Sequence, residues 1–302
     1  MKRRQFLEKS IATLSSLILT EKLASAMQSQ PRFFEPYENV PLGNSGLKYS
    51  RICFGTGTKG WEQKSNQVRL GKENFEDLIR YAYEKGVRSF DLADLYGSHP
   101  YITTALKKIP RKKYQITSKI WFRPGGLNSK ERPDADIVIP RFLKELNSDY
   151  IDLVLIHCVT EQDWPNKYEK QMNILAKLKK KGIIRAHGIS AHSIESLNTA
   201  AEKPWVDSVH ARINPYGTKA EPPEKILATT KKLKNAGKGI CAMKIIGEGE
   251  FTNSPEKIDA SLNFALNENA AESLIVGFLK KSEIDDLADR INKVPKKIVQ
   301  KT

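Results

Sequence analysis

Cysteine is scarce: three in 302 residues, an odd count that rules out a disulfide framework. Cys53 and Cys241 fall inside apolar segments and read as small core side chains. Cys158 follows His157, and neighbours on a strand face opposite ways, which argues against a nucleophile and base pair. Acids are short too, with 35 Asp and Glu against 50 Lys and Arg, a net charge of +15. That excess would suit nucleic acid or an anionic surface. The lysines, however, are spread along helical patterns (Lys177, Lys179, Lys180, Lys181, then Lys231, Lys232, Lys234) with no interleaved aromatics. They read as a solvated surface, and no nucleic-acid partner is expected. Mean hydropathy is −0.49 and no long apolar run follows the first 26 residues, so no stable membrane anchor is expected. His187, His192 and His210 come without a carboxylate or cysteine at metal-ligand spacing, and no metal is expected.

The amino terminus reads as an export signal. Lys2-Arg3-Arg4-Gln5-Phe6-Leu7 is a twin-arginine pattern, Ile11 to Thr20 is weakly apolar, and Ala24-Ser25-Ala26 is a small-residue cleavage site. The apolar run is about half of what a bilayer span needs, so a cleaved signal over 1–26 is expected rather than an anchor. The expected partner is the twin-arginine export machinery and the expected location the periplasm; a basic amphipathic helix on a cytoplasmic protein is the alternative. Five bases and two acids leave with the signal, so the remaining chain carries +12. Residues 27–302 are long for a two-layer domain and ordinary for one barrel, and 27–46 are expected to open it with a short β-hairpin.

Beyond that point apolar strand-like runs alternate with helical patterns. The strands are expected at 51–54, 88–91, 114–119, 151–157, 184–190, 206–212, 239–244 and 274–277. The helices are expected at 73–85, 99–108, 134–147, 168–181, 193–202, 222–236, 255–267 and 281–293, several with fitting ends such as Ser193 or Pro255 at the start and Gly182 or Gly237 at the close. Strand then helix, repeated eight times, predicts a (β/α)8 TIM barrel, with the amino-terminal β-hairpin closing the bottom. Gly55-Thr56-Gly57-Thr58-Lys59-Gly60 mimics a dinucleotide GxGxxG turn. A polar stretch from Trp61 to Lys72 then separates it from the next helix, whereas the dinucleotide fold starts its helix within the turn.

Polar residues end four successive parts of this pattern. Asp91 closes one strand with Tyr96 five residues on, and Lys119, His157 and Ser190 close the next three. Carboxyl ends of barrel strands share one face, so these residues are expected to meet. A phenol has a pKa near 10, and an adjacent ammonium would favour its ionised form. Asp91 holding Lys119, Lys119 polarising Tyr96, and His157 bonding a substrate oxygen would suit proton delivery to a carbonyl as a hydride arrives. Singly, each has an ordinary reading: cap, half-buried aromatic, snorkelling base, core histidine.

Residues from about 38 onward resemble the aldo-keto reductase family. Leu42-Gly43-Asn44-Ser45-Gly46-Leu47 with Ser50-Arg51 and Phe54-Gly55-Thr56-Gly57 is similar to its opening hairpin and first strand. FDLADLYG at 90–97, ITSK at 116–119 and IDLVLIH at 151–157 are similar to its aspartate–tyrosine, lysine and histidine segments. The resemblance implies a barrel without a Rossmann fold, reversible reduction of a small-molecule carbonyl substrate, and a catalytic set of Tyr96, Asp91, Lys119 and His157 with Tyr96 as proton donor. It also implies an extended nicotinamide cofactor, NADP with NAD possible, bound through Gly55, Thr56, Ser190, His210, Lys244, Gly277, Lys280, Lys281 and Ser282. Lys280 and Lys281 have the alternative of being ordinary charges at a helix start. The chain departs from the family pattern where Ala191 and His192 follow Ser190, where His210 replaces a glutamine, and where Met243 stands at a common aromatic position. These departures leave a second class open, a barrel kept as a binding or redox-sensing subunit. Trp61, Trp121, Phe122 and Trp164 are candidates for an apolar mouth.

Overall fold

The computed structural model describes residues 32–297. The expected signal over 1–26 lies outside the described residues. Eight parallel strands close on themselves in the order β3 (Ile52–Gly55), β4 (Ser89–Asp91), β5 (Gln115–Ile120), β6 (Ile151–Val159), β7 (Ile184–Ala191), β8 (Ser208–Arg212), β9 (Gly239–Met243) and β10 (Ser273–Gly277), with β10 pairing back onto β3. The fold is thus the TIM barrel that the alternation predicts. The principal helices between them are α2 (Lys72–Lys85), α3 (His99–Ala105), α4 (Ala135–Glu145), α6 (Glu169–Lys180), α7 (Ile194–Glu202), α8 (Pro223–Asn235), α9 (Pro255–Asn267) and α10 (Lys281–Ile291). Two single-turn helices, α1 (Asn66–Arg69) and α5 (Trp164–Lys167), sit in loops. Among the described residues no helix is long and apolar enough to cross a membrane.

The period of two along each strand divides its side chains between two cores. In β6, Val154 and Ile156 join the large cluster under the helices, while Leu153 and Leu155 join a smaller one inside the barrel with Ala186 and Cys241. In β5, Thr117 points inward and bonds the Tyr49 hydroxyl at 2.8 Å, whereas Ser118 points outward and bonds His99 Nε2 at 2.9 Å. Lys119 shares the inward parity of Thr117.

The hairpin is where the sequence reading needs correction. Its strands are β1 (Asn39–Pro41) and β2 (Lys48–Ser50), antiparallel, with Val40 opposite Tyr49, later than 27–46. The shift has a physical reason: Leu42, Leu47 and Tyr49 are the apolar residues able to enter the barrel, and all three are buried in its interior cluster. A hairpin centred on them plugs the amino-terminal end, so every open approach to the interior lies at the carboxyl end.

Candidate active site

The carboxyl end of the barrel collects the polar residues expected there. Asp91, the last residue of β4, and Lys119, next to last in β5, are both buried and form an ion pair, with Nζ at 2.7 Å from either carboxylate oxygen. Lys119 Nζ also donates to the Leu92 carbonyl at 2.9 Å and stands 4.8 Å from the centre of the Tyr96 ring. Tyr96 ends a 3-10 turn, Asp94–Tyr96. Its hydroxyl lies 3.2 Å from His157 Nε2, and His157 Nδ1 is buried without a partner. Four residues from three strands and one turn therefore meet around one phenol.

Electrostatics change one expectation. Lys119 was expected to lower the pKa of Tyr96, yet that phenol is pushed well above its ordinary value, first by burial and then by the charge of Asp91. The ammonium is matched by both Asp91 oxygens and faces the ring rather than the hydroxyl, so little of its field remains at Oη. Asp91 itself is raised by burial against the pull of Lys119. His157 is driven well below its usual value by burial and then by Lys119, so its imidazole is neutral. A neutral phenol bonded to a neutral imidazole keeps its proton until a stronger base forms beside it.

Two glycines of the GxGxxG look-alike explain themselves here. A Cβ on Gly57 would lie 2.2 Å from the Tyr96 ring, and one on Gly60 would lie 2.6 Å from it. The turn is glycine-rich because the phenol packs against its backbone, not because a pyrophosphate needs it.

A channel of about 890 Å³ leads away from this group. It begins at Asp91, Tyr96 and Lys119, passes Gly55, Met243, Lys244 and Gly277, and ends at Ser282, Glu283 and Asp286. That volume lies in the range of cofactor sites. Of the residues expected to hold a cofactor, Gly55, Lys244, Gly277 and Ser282 line the channel. Thr56 lies beneath it, its hydroxyl bonded to the Asp91 carbonyl at 2.9 Å and to Ser98 Oγ at 2.7 Å. Ser190 and His210 are paired across β7 and β8 and buried next to the channel head; His210 Nδ1 is 3.4 Å from Asp91 Oδ1. Ser190 Oγ and both ring nitrogens of His210 make no hydrogen bond. Such orphaned polar atoms fit a ligand amide better than a finished core.

Lys280 and Lys281 are not part of the channel. Lys281 turns outward to α2, where Nζ pairs with Asp77 at 2.6 Å, and neither lysine reaches the lining. The residue pattern named Lys280, Lys281 and Ser282 together; at the start of α10 the helix presents Ser282, Glu283 and Asp286 to the channel and leaves the two lysines outside its lining. Lys244, in the left-handed region at φ 63°, has its charge matched by Glu248 at 2.5 Å.

The aromatic mouth is corrected likewise. Trp121 packs edge-on against His157 with centroids 5.2 Å apart, and Trp61 packs edge-on against Trp121 at 5.7 Å. Trp164 is fully buried against Trp205, and Phe122 packs on Tyr168, so both belong to loop and helix packing. His187 faces the helix layer, stacked on Trp205 at 4.2 Å, away from His192 and His210.

Sequence reasoning passed over Asp94, Arg123 and Arg212, and set Cys158 aside on strand alternation. Asp94 accepts from Leu95 N at 2.7 Å and Trp121 N at 3.0 Å, tying the tyrosine turn to the tryptophan loop, and burial pushes its carboxyl up to about 7. Its spacing of three from Asp91 was the available signal. Cys158 sits in a bulge, with register shifting between Ile156 and Val159 and φ at 57°. The bulge breaks strand alternation and turns the thiol toward the mouth, 3.4 Å from His192 Nδ1. Arg123 and Arg212 flank it, and no periodicity marked them.

The family model for "Aldo/keto reductase family" matches residues 51–298. The chain belongs to the aldo/keto reductase family. It is 30% identical over 224 residues to "Probable aldo-keto reductase 1" of Glycine max, covering 70% of this chain and 60% of that one. It is 34% identical over 157 residues to the "Glyoxal reductase" of Bacillus subtilis, covering 49% and 52%. Matches to the curated relatives thus span about half of their length. Among solved structures, the holo form of the aldo-keto reductase AKR11C1 from Bacillus halodurans superposes with a TM-score of 0.69 at 17% identity, covering 86% of this chain and 93% of that one, a likeness of fold.

Proposed function

We propose that this aldo/keto reductase reduces a small aldehyde or ketone, with a nicotinamide dinucleotide lying in the channel and its ring beside Tyr96. The observation that carries the reading is the Tyr96 hydroxyl at 3.2 Å from His157 Nε2, beside a buried Lys119–Asp91 ion pair at the head of an elongated channel. When bound, the dinucleotide supplies the hydride. Ser190 Oγ and His210, unpaired and buried, would hold the carboxamide end. Tyr96 Oη and His157 would both face the substrate carbonyl oxygen, which places two neutral groups where negative charge develops. As the oxygen becomes an alkoxide it outcompetes the phenolate for the proton, and Tyr96 delivers it. Asp91 holds the Lys119 ammonium beneath the Tyr96 ring, and the His157 imidazole, 3.2 Å from Oη, is the group placed to hydrogen-bond the oxygen as the proton leaves. A raised phenol pKa serves this direction, since Tyr96 then remains protonated at neutral pH.

The far end of the channel supports NADH over NADPH. With a nicotinamide at Tyr96, the adenosine would lie toward Ser282, Glu283 and Asp286; Glu283 caps the helix start and Asp286 pairs with Arg290, and the two carboxylates would still disfavour a 2′-phosphate there. Lys59 and Lys244 also line the channel, and Lys244 has its charge matched by Glu248.

Tyr96→Phe tests the function: the variant should still bind dinucleotide, measured by fluorescence titration, and lose carbonyl turnover. Full turnover by the variant would refute the reading; a wild type that turns over no carbonyl and copurifies with a partner would favour a binding subunit. For residues 1–26 we propose twin-arginine export to the periplasm, motivated by Arg3-Arg4 and Ala24-Ser25-Ala26. Replacing both arginines by lysine should leave the protein in the cytoplasmic fraction, and unchanged fractionation would count against it.

A further inference from the structure

Among the described residues, two arginines at the barrel mouth have no carboxylate paired with them. Arg123, in the loop after β5, donates from Nη1 to the Cys158 carbonyl at 2.8 Å and Thr160 Oγ1 at 3.2 Å, and reaches Cys158 Sγ at 3.6 Å. Arg212, the last residue of β8, donates from Nη2 to His192 Nδ1 at 2.5 Å, and its Nε is buried with no partner. Cys158 Sγ bridges them, 3.4 Å from His192 Nδ1. The run Arg123, Cys158, His192, Arg212 is therefore continuous. Among the described residues, neither guanidinium has a carboxylate within 4.0 Å.

The two groups between the arginines supply no anion. His192 is held neutral, first by burial and then by Arg212, and burial raises the Cys158 thiol. A guanidinium cannot shed its proton as a lysine would. Two half-buried positive charges joined through neutral groups are costly in the free protein, and an incoming anion relieves that cost. Their planar forks match a carboxylate. The run also lies beside the reacting centre: Cys158 and Tyr96 pack against the same cluster as Trp121, and Trp121 touches His157. Neither arginine lines the dinucleotide channel, so the cofactor phosphates are not the anion in question.

We propose that Arg123 and Arg212 form a carboxylate subsite of the substrate pocket, so that the preferred substrate is an aldehyde or ketone bearing a carboxylate one side chain away from the carbonyl. The proposal rests on the carbonyl-reductase reading and is tested separately from it.

Two measurements on the full chain decide. The first is binding without turnover: quenching of tryptophan emission by benzoate compared with benzamide, reported by Trp121. Benzoate should bind tighter by about tenfold, the worth of one charge-assisted bond, and Arg123→Met or Arg212→Met should abolish the difference. The second is kinetic: KM for 4-carboxybenzaldehyde should fall about tenfold below that of its methyl ester in the wild type, with kcat similar. This comparison needs no variant, so it stands even if an arginine variant fails to fold. Equal affinity for benzoate and benzamide, or equal KM for acid and ester, would overturn the subsite. Selective benzoate binding that depends on the arginines, with no carbonyl turned over, would uphold the subsite and sink the reductase reading.

Discussion

All five histidines of this chain have their pKa held below the ordinary value, burial being the first cause in each. The consequence is acid sensitivity at mild pH. Consider His157, His210 and His187, each at most 5% exposed. The first two are pushed well below the usual value and His187 to about 4. Above about pH 6.5 each is neutral both folded and unfolded and contributes nothing; below it the unfolded chain binds protons that the folded chain refuses, so stability falls as pH falls. Between about pH 7 and about pH 5.5 each group costs about 1.2 kcal/mol, and the three together about 4 kcal/mol. Asp94 works against them. Its carboxyl titrates at about 7 in the fold, so over the same interval the folded state alone takes up its proton, a gain of about 1.6 kcal/mol. The net loss is then about 2 kcal/mol, with His99 and His192 adding to the loss and Asp91 to the offset. Urea unfolding followed by circular dichroism at the two pH values measures it. Asp94→Asn should steepen the dependence toward about 4 kcal/mol and His187→Gln should relieve it by about 1.2 kcal/mol. A midpoint that is unchanged, or higher, at the lower pH would refute the claim that these imidazoles are buried neutral.

Lys119→Met leaves Asp91 buried without its partner and should destabilise the fold by about 3–5 kcal/mol; the double variant with Asp91→Asn should recover part of that in thermal melts, and a lone Lys119→Met as stable as wild type would show that the pair is solvated. Gly57→Ala should lower kcat by on the order of a hundredfold while the circular dichroism spectrum is unchanged, because the new methyl displaces the Tyr96 ring; wild-type kcat would remove the packing argument. NADH should bind at least about tenfold tighter than NADPH by fluorescence titration, and Asp286→Arg should shrink that gap; a wild type that prefers NADPH would contradict the acidic far end. In the range about pH 6 to about pH 8, kcat should show no step near the ordinary histidine value, since His157 stays neutral; a step there that vanishes in His157→Asn would contradict its burial.

What could be read from the sequence and what could not separate along one physical line. The eight strands and their helices came from periodicity, because burial on two faces imposes a local pattern on β6 or α2 that survives without knowledge of what packs against it. The meeting of Asp91, Tyr96, Lys119 and His157 was legible for the same reason: strand ends of a closed barrel share a face, so topology alone brings them together. That Lys280 and Lys281 stand outside the channel lining was not legible, because a helix start offers every residue a different direction, and the angle at which α10 leaves β10 is a tertiary quantity. The Tyr96 shift failed because it depends on how Asp91 divides the Lys119 charge between two oxygens, a matter of a few ångströms that residue types do not encode. Cys158 was misread by the very rule that served elsewhere, since a bulge with φ at 57° abandons the alternation that places its neighbours. The positions that escaped local rules lie where strands stop being regular, and in a barrel that is the rim at which substrate must enter.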